Sequence, residues 1–261
     1  MNEHPIGIFD SGVGGTSVWK EIQVLLPHED TIYLADSANA PYGEKSKDEI
    51  LHLSIKNTDY LVAQGCKIIV VACNTATTNA IDYLRKNYNI PFIGIEPAIK
   101  PAALRSSSKT VGILATKGTL SSSLFHSTSE NHAIGIRIIE QEGTGLVPLI
   151  EAGKIDTIET KKLLKKHLKP MLDADIDYLV LGCTHYPYLI PVLKTMLPEN
   201  VKIIDSGEAV ARQTKAILQQ NGLLNDSNKK GYSIFYTNGN LAVLQSFLKE
   251  NENAEISYLD F

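Results

Sequence analysis

The segment KIIVVACNTATT, Lys67 to Thr78, carries the reading of the fold. A run of β-branched residues, suited to a strand buried on both faces, ends directly on a cysteine. Small hydrogen-bonding side chains then follow at Asn74, Thr75 and Thr77. A second segment, DYLVLGCTHYPYL from Asp177 to Leu189, repeats the plan with Cys183, Thr184 and His185. In both, a thiol stands where a strand gives way to a turn, and a helix start is expected next.

Outward from these segments, short apolar runs alternate with helical patterns. Strands are expected at Ile6–Asp10, Thr31–Ala35, Lys67–Ala72, Phe92–Ile95, Thr110–Ala115, Ile134–Ile139, Tyr178–Leu181, Lys202–Ile204, Ser233–Tyr236 and Ile256–Leu259. The clearest helix start is Ser46, three residues before Glu49, the spacing of a capping box. Leu51, Ile55, Tyr60 and Leu61 follow it at helical spacing. Strand–helix alternation implies right-handed βαβ units, hence an α/β fold with mainly parallel sheets flanked by helices. Ligands of such sheets collect beyond the carboxyl ends of the strands, where both cysteines lie.

The plan occurs twice. GIFDSG at Gly7 resembles GILATK at Gly112, an offset of 105 residues, and Cys73 and Cys183 are offset by 110. Two pseudo-symmetric lobes facing each other across a cleft explain this. The first is expected to comprise residues 1–97 plus 208–261 and to carry Cys73. The second, residues 98–207, carries Cys183. The crossings fall in the Pro-rich stretch Ile90–Ala102 and near Ile203–Ala211.

Composition narrows the chemistry. The 261 residues carry 25 Lys+Arg against 29 Asp+Glu, which provides no basic face for a phosphate backbone and argues against nucleic acid. The lysines at 161, 162, 165 and 166 recur at helical spacing, as on a solvated helix face. Three cysteines are too few and too sparse for a disulfide scaffold, which points to a reducing, cytoplasmic setting. No apolar run reaches membrane-spanning length and no signal peptide is visible.

Four chemistries compete for the cysteines. Cys66 and Cys73 bracket one strand, about 23 Å apart at ~3.3 Å per residue, too far to share a metal ion that holds sulfur at ~2.3 Å. Cys66 reads as a small buried hydrophobe. Cys183 with His185 offers two ligands and no second pair, so no metal is expected. DSGVGGTS, Asp10 to Ser17, joins a strand to a helix as phosphate loops do, but lacks the glycine and lysine placements of the nucleotide patterns. Its bare backbone N–H groups suit a carboxylate equally well. Hydrolysis by Cys183 with His185 needs one thiol only and leaves the matching Cys73 unexplained. Stereoinversion of a carbon centre uses both: one base removes a proton from one face while the other delivers a proton to the opposite face. A thiol, with a reference pKa of about 8.5, can be tuned to such work. Spacing favours inversion and leaves hydrolysis open.

Together, GIFDSGVGGTS, LADSANAPYGEKS, VVACNTATT, GIEPAIKPA, VGILATKGT and LGCTHYPYL closely resemble the cofactor-independent glutamate racemases, from Ile6 to about Gly207. The resemblance implies a two-lobed racemase that interconverts L- and D-glutamate without a cofactor. It also implies a homodimer and a role in supplying D-glutamate to peptidoglycan. Cys73 resembles the base for the D enantiomer and Cys183 the base for the L enantiomer. Asp10 would poise Cys73, and His185 with Glu151 would poise Cys183. Asp10, Ser11, Pro41, Tyr42, Gly43, Asn74, Thr75, Thr184 and His185 resemble the substrate cradle. The alternatives are a racemase of another acidic amino acid such as aspartate, or a non-catalytic amino-acid-binding regulator. Thr16, Thr78 and Asn79 depart from the family pattern and bear on helix packing. His52 and His167 are expected at the surface.

Overall fold

A computed structural model of the chain describes residues 3–248 and 253–261. Its strands are β1 (Ile6–Asp10), β2 (Thr31–Ala35), β3 (Ile68–Val71), β4 (Phe92–Gly94), β5 (Thr110–Ala115), β6 (Arg137–Glu142), β7 (Tyr178–Gly182), β8 (Lys202–Ile204), β9 (Ser233–Thr237) and β10 (Ala254–Tyr258). They form two sheets, ordered β10-β9-β2-β1-β3-β4 and β6-β5-β7-β8. Every strand pair is parallel, as βαβ alternation requires.

The duplication is exact in topology: β2-β1-β3-β4 and β6-β5-β7-β8 have the same order. It extends to register. Gly7 lies opposite Ile69 in the first sheet, and Gly112 opposite Leu179 in the second. Those pairs differ by the same 105 and 110 residues that separate the matching sequence motifs. The last two strands extend the first sheet beyond β2. Where the chain crosses between sheets, the Ser206 hydroxyl donates to the Glu96 carbonyl, tying the two crossings side by side.

Alternate residues of each central strand feed different cores. Ile68, Val70 and Ala72 join a large cluster that continues through Leu146, Leu179 and Leu181 of the second half, while Ile69, Val71 and Cys73 pack on the opposite face. Burial on both faces is why these strands read as continuous apolar runs.

Some local expectations need correction, among them the last strand, which begins two residues early at Ala254. The sixth strand begins three residues late, because Ile134 is 86% exposed in a turn and Gly135 takes a φ of +75°. The helix Lys47–Ala63 has the expected capping box at Ser46; Leu61 is buried and Leu51, Ile55 and Tyr60 pack half-buried beside it as expected, while Ile50, Ser54, Asn57 and Thr58 complete the buried face. Ser54 and Thr58 bury by bonding the carbonyls one turn back, at 2.7 and 2.8 Å. His167 is buried, its Nε2 3.0 Å from the Thr144 carbonyl. Cys183 precedes a short 3₁₀ turn, Tyr186–Leu189, where a helix start was expected. The lysines at 161, 162, 165 and 166, and His52, are exposed as expected. The helix Asn74–Asn87 is continuous, with Thr78 and Asn79 bonding back to the Thr75 carbonyl.

Candidate active site

Cys73 and Cys183 each follow a central strand of their sheet, β3 and β7. Cys73 is the N-cap of the helix Asn74–Asn87, and its sulfur accepts from the Ala76 N–H at 3.4 Å. It also lies 3.7 Å from the Ser11 hydroxyl. Cys183 Sγ lies 3.8 Å from His185 Nδ1. One cleft is lined by Cys73 and Cys183 together with Ser11, Pro41, Tyr42, Gly43, Asn74, Thr75, Thr184 and His185. Those residues come from separate stretches of sequence and from both sheets. Asp10 and Glu151 are not among the lining residues; they meet the cleft through Thr184 and His185 respectively.

The charged groups are held by the glycine loop that follows β1. Gly15 N–H donates to Asp10 Oδ2 at 2.8 Å, and Val13 N–H to Glu151 Oε1 at 2.7 Å. The loop therefore binds carboxylates, and the ones it binds are the protein's own. Its glycines permit close approach: a Cβ on Gly12 would stand 1.9 Å from Glu151 Oε1, and one on Gly14 2.3 Å from His185 Nδ1. Glu151 Oε1 also meets His185 Nε2 at 2.5 Å, while Ser37 donates to Oε2 at 2.9 Å. Asp10 accepts from the Thr184 hydroxyl at 3.3 Å and lies 4.0 Å from His185 Nδ1.

Electrostatics differ between the two thiols' surroundings. Burial, reinforced by the Asp10 carboxylate, pushes the Cys73 thiol well above its usual value. Burial also raises Asp10, against the pull of His185 and the Gly15 N–H. For His185, burial opposes charge, yet contacts with Cys183 and Glu151 outweigh it and hold the imidazole pKa well above the usual range. An imidazolium there donates from both ring nitrogens, one toward Glu151 and one toward the Cys183 sulfur. Burial alone pushes Cys66, away from the cleft, up to about 12, as befits a small buried hydrophobe.

Tyr42 is fixed from behind. Its hydroxyl donates to the buried Asp36 carboxylate and accepts from Asn57 at 3.1 Å. Thr116 also lines the cleft, bonded to Thr75 Oγ1 at 2.8 Å. Sequence reasoning did not single it out, although the 105-residue repeat places it opposite Ser11. Asp36 carried no comparable signal, since its partners lie up to 202 residues away in sequence at Asn238. Among the described residues no cluster of three potential metal ligands occurs, and no helix is long and apolar enough to cross a membrane.

The family model for Asp/Glu/hydantoin racemases matches residues 14–214. A glutamate racemase of Herpetosiphon aurantiacus is 44% identical over 242 residues, covering 93% of this chain and 95% of the relative. This chain is a member of the glutamate racemase family. Among solved structures, glutamate racemase RacE1 of Bacillus anthracis superposes with a TM-score of 0.88 at 31% identity, covering 100% of this chain and 99% of that one. The Escherichia coli glutamate racemase, solved with L-glutamate, superposes at 0.85 and 34% identity, covering 98% and 100%.

Proposed function

We propose that this protein interconverts L- and D-glutamate by a two-base mechanism in which Cys73 and Cys183 act from opposite sides of Cα. The observation that carries this reading is that both sulfurs line one cleft, each from the turn after the equivalent strand of its sheet. Family membership supports glutamate as the substrate. Residues 1–97 plus 208–261 and residues 98–207 are then the two lobes, with the substrate between them.

In the L-to-D direction, the Cys183 thiolate removes the Cα proton and becomes a thiol. The electron pair left on Cα spreads into the α-carboxylate, where fixed donors around Asn74, Thr75 and Thr184 stabilise the developing charge. The Cys73 thiol delivers its proton to the opposite face and becomes the thiolate. A D-glutamate molecule entering next is deprotonated by Cys73 in the reverse reaction; net conversion proceeds when, after product leaves, Cys73 takes a proton from solvent and Cys183 returns one to it. His185, braced by Glu151, supplies positive charge beside Cys183, and Asp10 poises Cys73. Ser11, Pro41, Tyr42 and Gly43 complete the cradle. Tyr42 acts there through its ring and backbone, because its hydroxyl is already engaged by Asp36 and Asn57. The near-complete burial of these groups keeps water from protonating the carbanion indiscriminately.

Purified protein incubated with L-glutamate in deuterated water, without added cofactor, should yield D-glutamate carrying deuterium at Cα. Constant optical rotation would reject the proposal. Comparable kcat/KM on aspartate would move the assignment to a broader acidic-amino-acid racemase. Calorimetric binding without Cα exchange would make the protein a binder. We place the enzyme in the cytoplasm as a homodimer, supplying D-glutamate to peptidoglycan. Sedimentation would test the dimer, and D-glutamate auxotrophy on gene deletion the cellular role.

A further inference from the structure

Thr16 opens the helix after the glycine loop and is fully buried. Its hydroxyl lies 2.5 Å from the Val13 carbonyl and 2.5 Å from the Tyr188 hydroxyl. A threonine hydroxyl carries one proton and a carbonyl can only accept, so Thr16 donates to Val13 and Tyr188 donates to Thr16. Tyr188 sits in the turn just after His185. Its ring packs edge-on against Phe247, with centroids 4.4 Å apart, and the Lys20 ammonium lies 5.1 Å over its face. That packing aims the hydroxyl at Thr16. Val13 in turn gives its N–H to Glu151 Oε1, the oxygen that meets His185 Nε2. The contacts thus leave the second sheet at Tyr188, pass through Thr16 and Val13, and return by Glu151 to His185 and Cys183. Among the described residues the Cys73 side is reached from this loop through Gly15, whose N–H holds Asp10, and not through the Thr16 or Tyr188 hydroxyl.

We propose that Thr16 and Tyr188 are positioning residues for the Cys183 half of the site: their hydrogen bond holds Val13 where its N–H keeps the Glu151 carboxylate on His185. This rests on the reading of Cys183 as one of two catalytic bases.

Thr16→Val removes the hydroxyl at nearly constant volume, and Tyr188→Phe removes the other while keeping the ring on Phe247. Each should lower kcat/KM about five- to tenfold. The double variant should lose no more than either single one, and Thr16→Ser should recover most of the activity. The enantiomers have equal free energy, so kcat/KM must fall equally in both directions and cannot locate the damage. Primary deuterium isotope effects can: they should rise with Cα-deuterated L-glutamate, which Cys183 deprotonates, and hold steady with the D enantiomer. A substrate-free readout is the NMR titration of labelled His185, whose facing charged groups are Cys183, Glu151 and Asp10. Its deprotonation should move to lower pH in Thr16→Val and Tyr188→Phe, and stay in place in Thr16→Ser. Additive losses, isotope effects rising equally in both directions, or an unmoved His185 titration would reduce the pair to a structural contact. Wild-type protein that leaves glutamate unchanged while His185 still shifts in the variants would overturn the two-base reading and leave the positioning network intact.

Discussion

Superposing the two halves by their shared register sets Asp10 against Ala115, Ser11 against Thr116, Cys73 against Cys183, and Thr75 against His185. The thiols match, but the charged residues do not. The first half contributes an acid where the second has alanine, and the second contributes a base where the first has threonine. These two unmatched groups meet, with Asp10 Oδ2 4.0 Å from His185 Nδ1. The backbone differs as well. Cys73 caps a 14-residue helix, whereas Cys183 opens onto a four-residue 3₁₀ turn that leads directly into the seven-residue helix Ile190–Met196. The lesson is physical. L- and D-glutamate are related by a mirror, whereas two copies of an L-polypeptide fold are related by rotation. Under the proposed two-base mechanism, equal chemistry on both faces therefore cannot come from equal surroundings, and each sulfur is served differently.

The largest test of that comparison is removal of a sulfur. Cys73→Ser and Cys183→Ser should each cut racemisation by about a thousandfold or more, the range set by losing a positioned acid–base group. Their residual exchange should be mirrored: Cys73→Ser should wash deuterium into L-glutamate without inversion, and Cys183→Ser into D-glutamate. Exchange of the same enantiomer in both variants would break the assignment of one thiol to each face. A smaller effect should follow from the supporting pair. His185→Asn should cost about a hundredfold and Glu151→Gln about tenfold, since Glu151 touches His185 and not the sulfur. A Glu151→Gln loss equal to that of His185→Asn would mean the carboxylate contributes more than orientation.

Asp10 tests the other half through stability. Its carboxyl is raised above 3.8 in the folded chain, so the folded state holds a proton that the unfolded state has released. Burial therefore costs nothing extra below that value, and the penalty grows as pH rises through the raised folded pKa. In Asp10→Asn this component is absent. As pH rises above 3.8, Tm should therefore fall more in wild type than in Asp10→Asn, which thermal melts across that range would show, while turnover of the variant drops. A steeper fall in the variant would show that the ionised carboxylate stabilises the fold.

How much of this the sequence reveals depends on whether a signal is local. The thiols were legible because the apolar runs that lead into Cys73 and Cys183 are contiguous, and the capping box at Ser46 lies within four residues. The glycine loop was legible as a carboxylate binder, but not whose carboxylates it binds, because Glu151 reaches Val13 across 138 residues. The start of β6 was misplaced because Ile134 and Ile136 extend an apolar pattern that Gly135 interrupts with a positive φ. His167 looked exposed because helical periodicity cannot foresee a carbonyl, that of Thr144, waiting for its ring nitrogen. Thr116 was available through the repeat and needed only the offset applied to Ser11.

That last pair provides the finest test of the comparison. Ser11 and Thr116 follow equivalent strands and line the same cleft, yet their bonds differ in kind. Ser11 makes a long contact of 3.7 Å to the Cys73 sulfur, whereas Thr116 holds the Thr75 hydroxyl at 2.8 Å. A weak contact to a neutral thiol should matter little to binding, but should matter more once the sulfur is a thiolate. Ser11→Ala should therefore lower kcat by about two- to fivefold with KM nearly constant, as expected when an interaction is stronger in the charged state. Thr116→Val should release Thr75, a cradle residue, and raise KM by a similar factor with kcat nearly constant. Steady-state kinetics on both enantiomers separates the outcomes. If both variants change KM alone, Ser11 serves only in the cradle and the first sulfur is served by Asp10 and the Ala76 N–H alone.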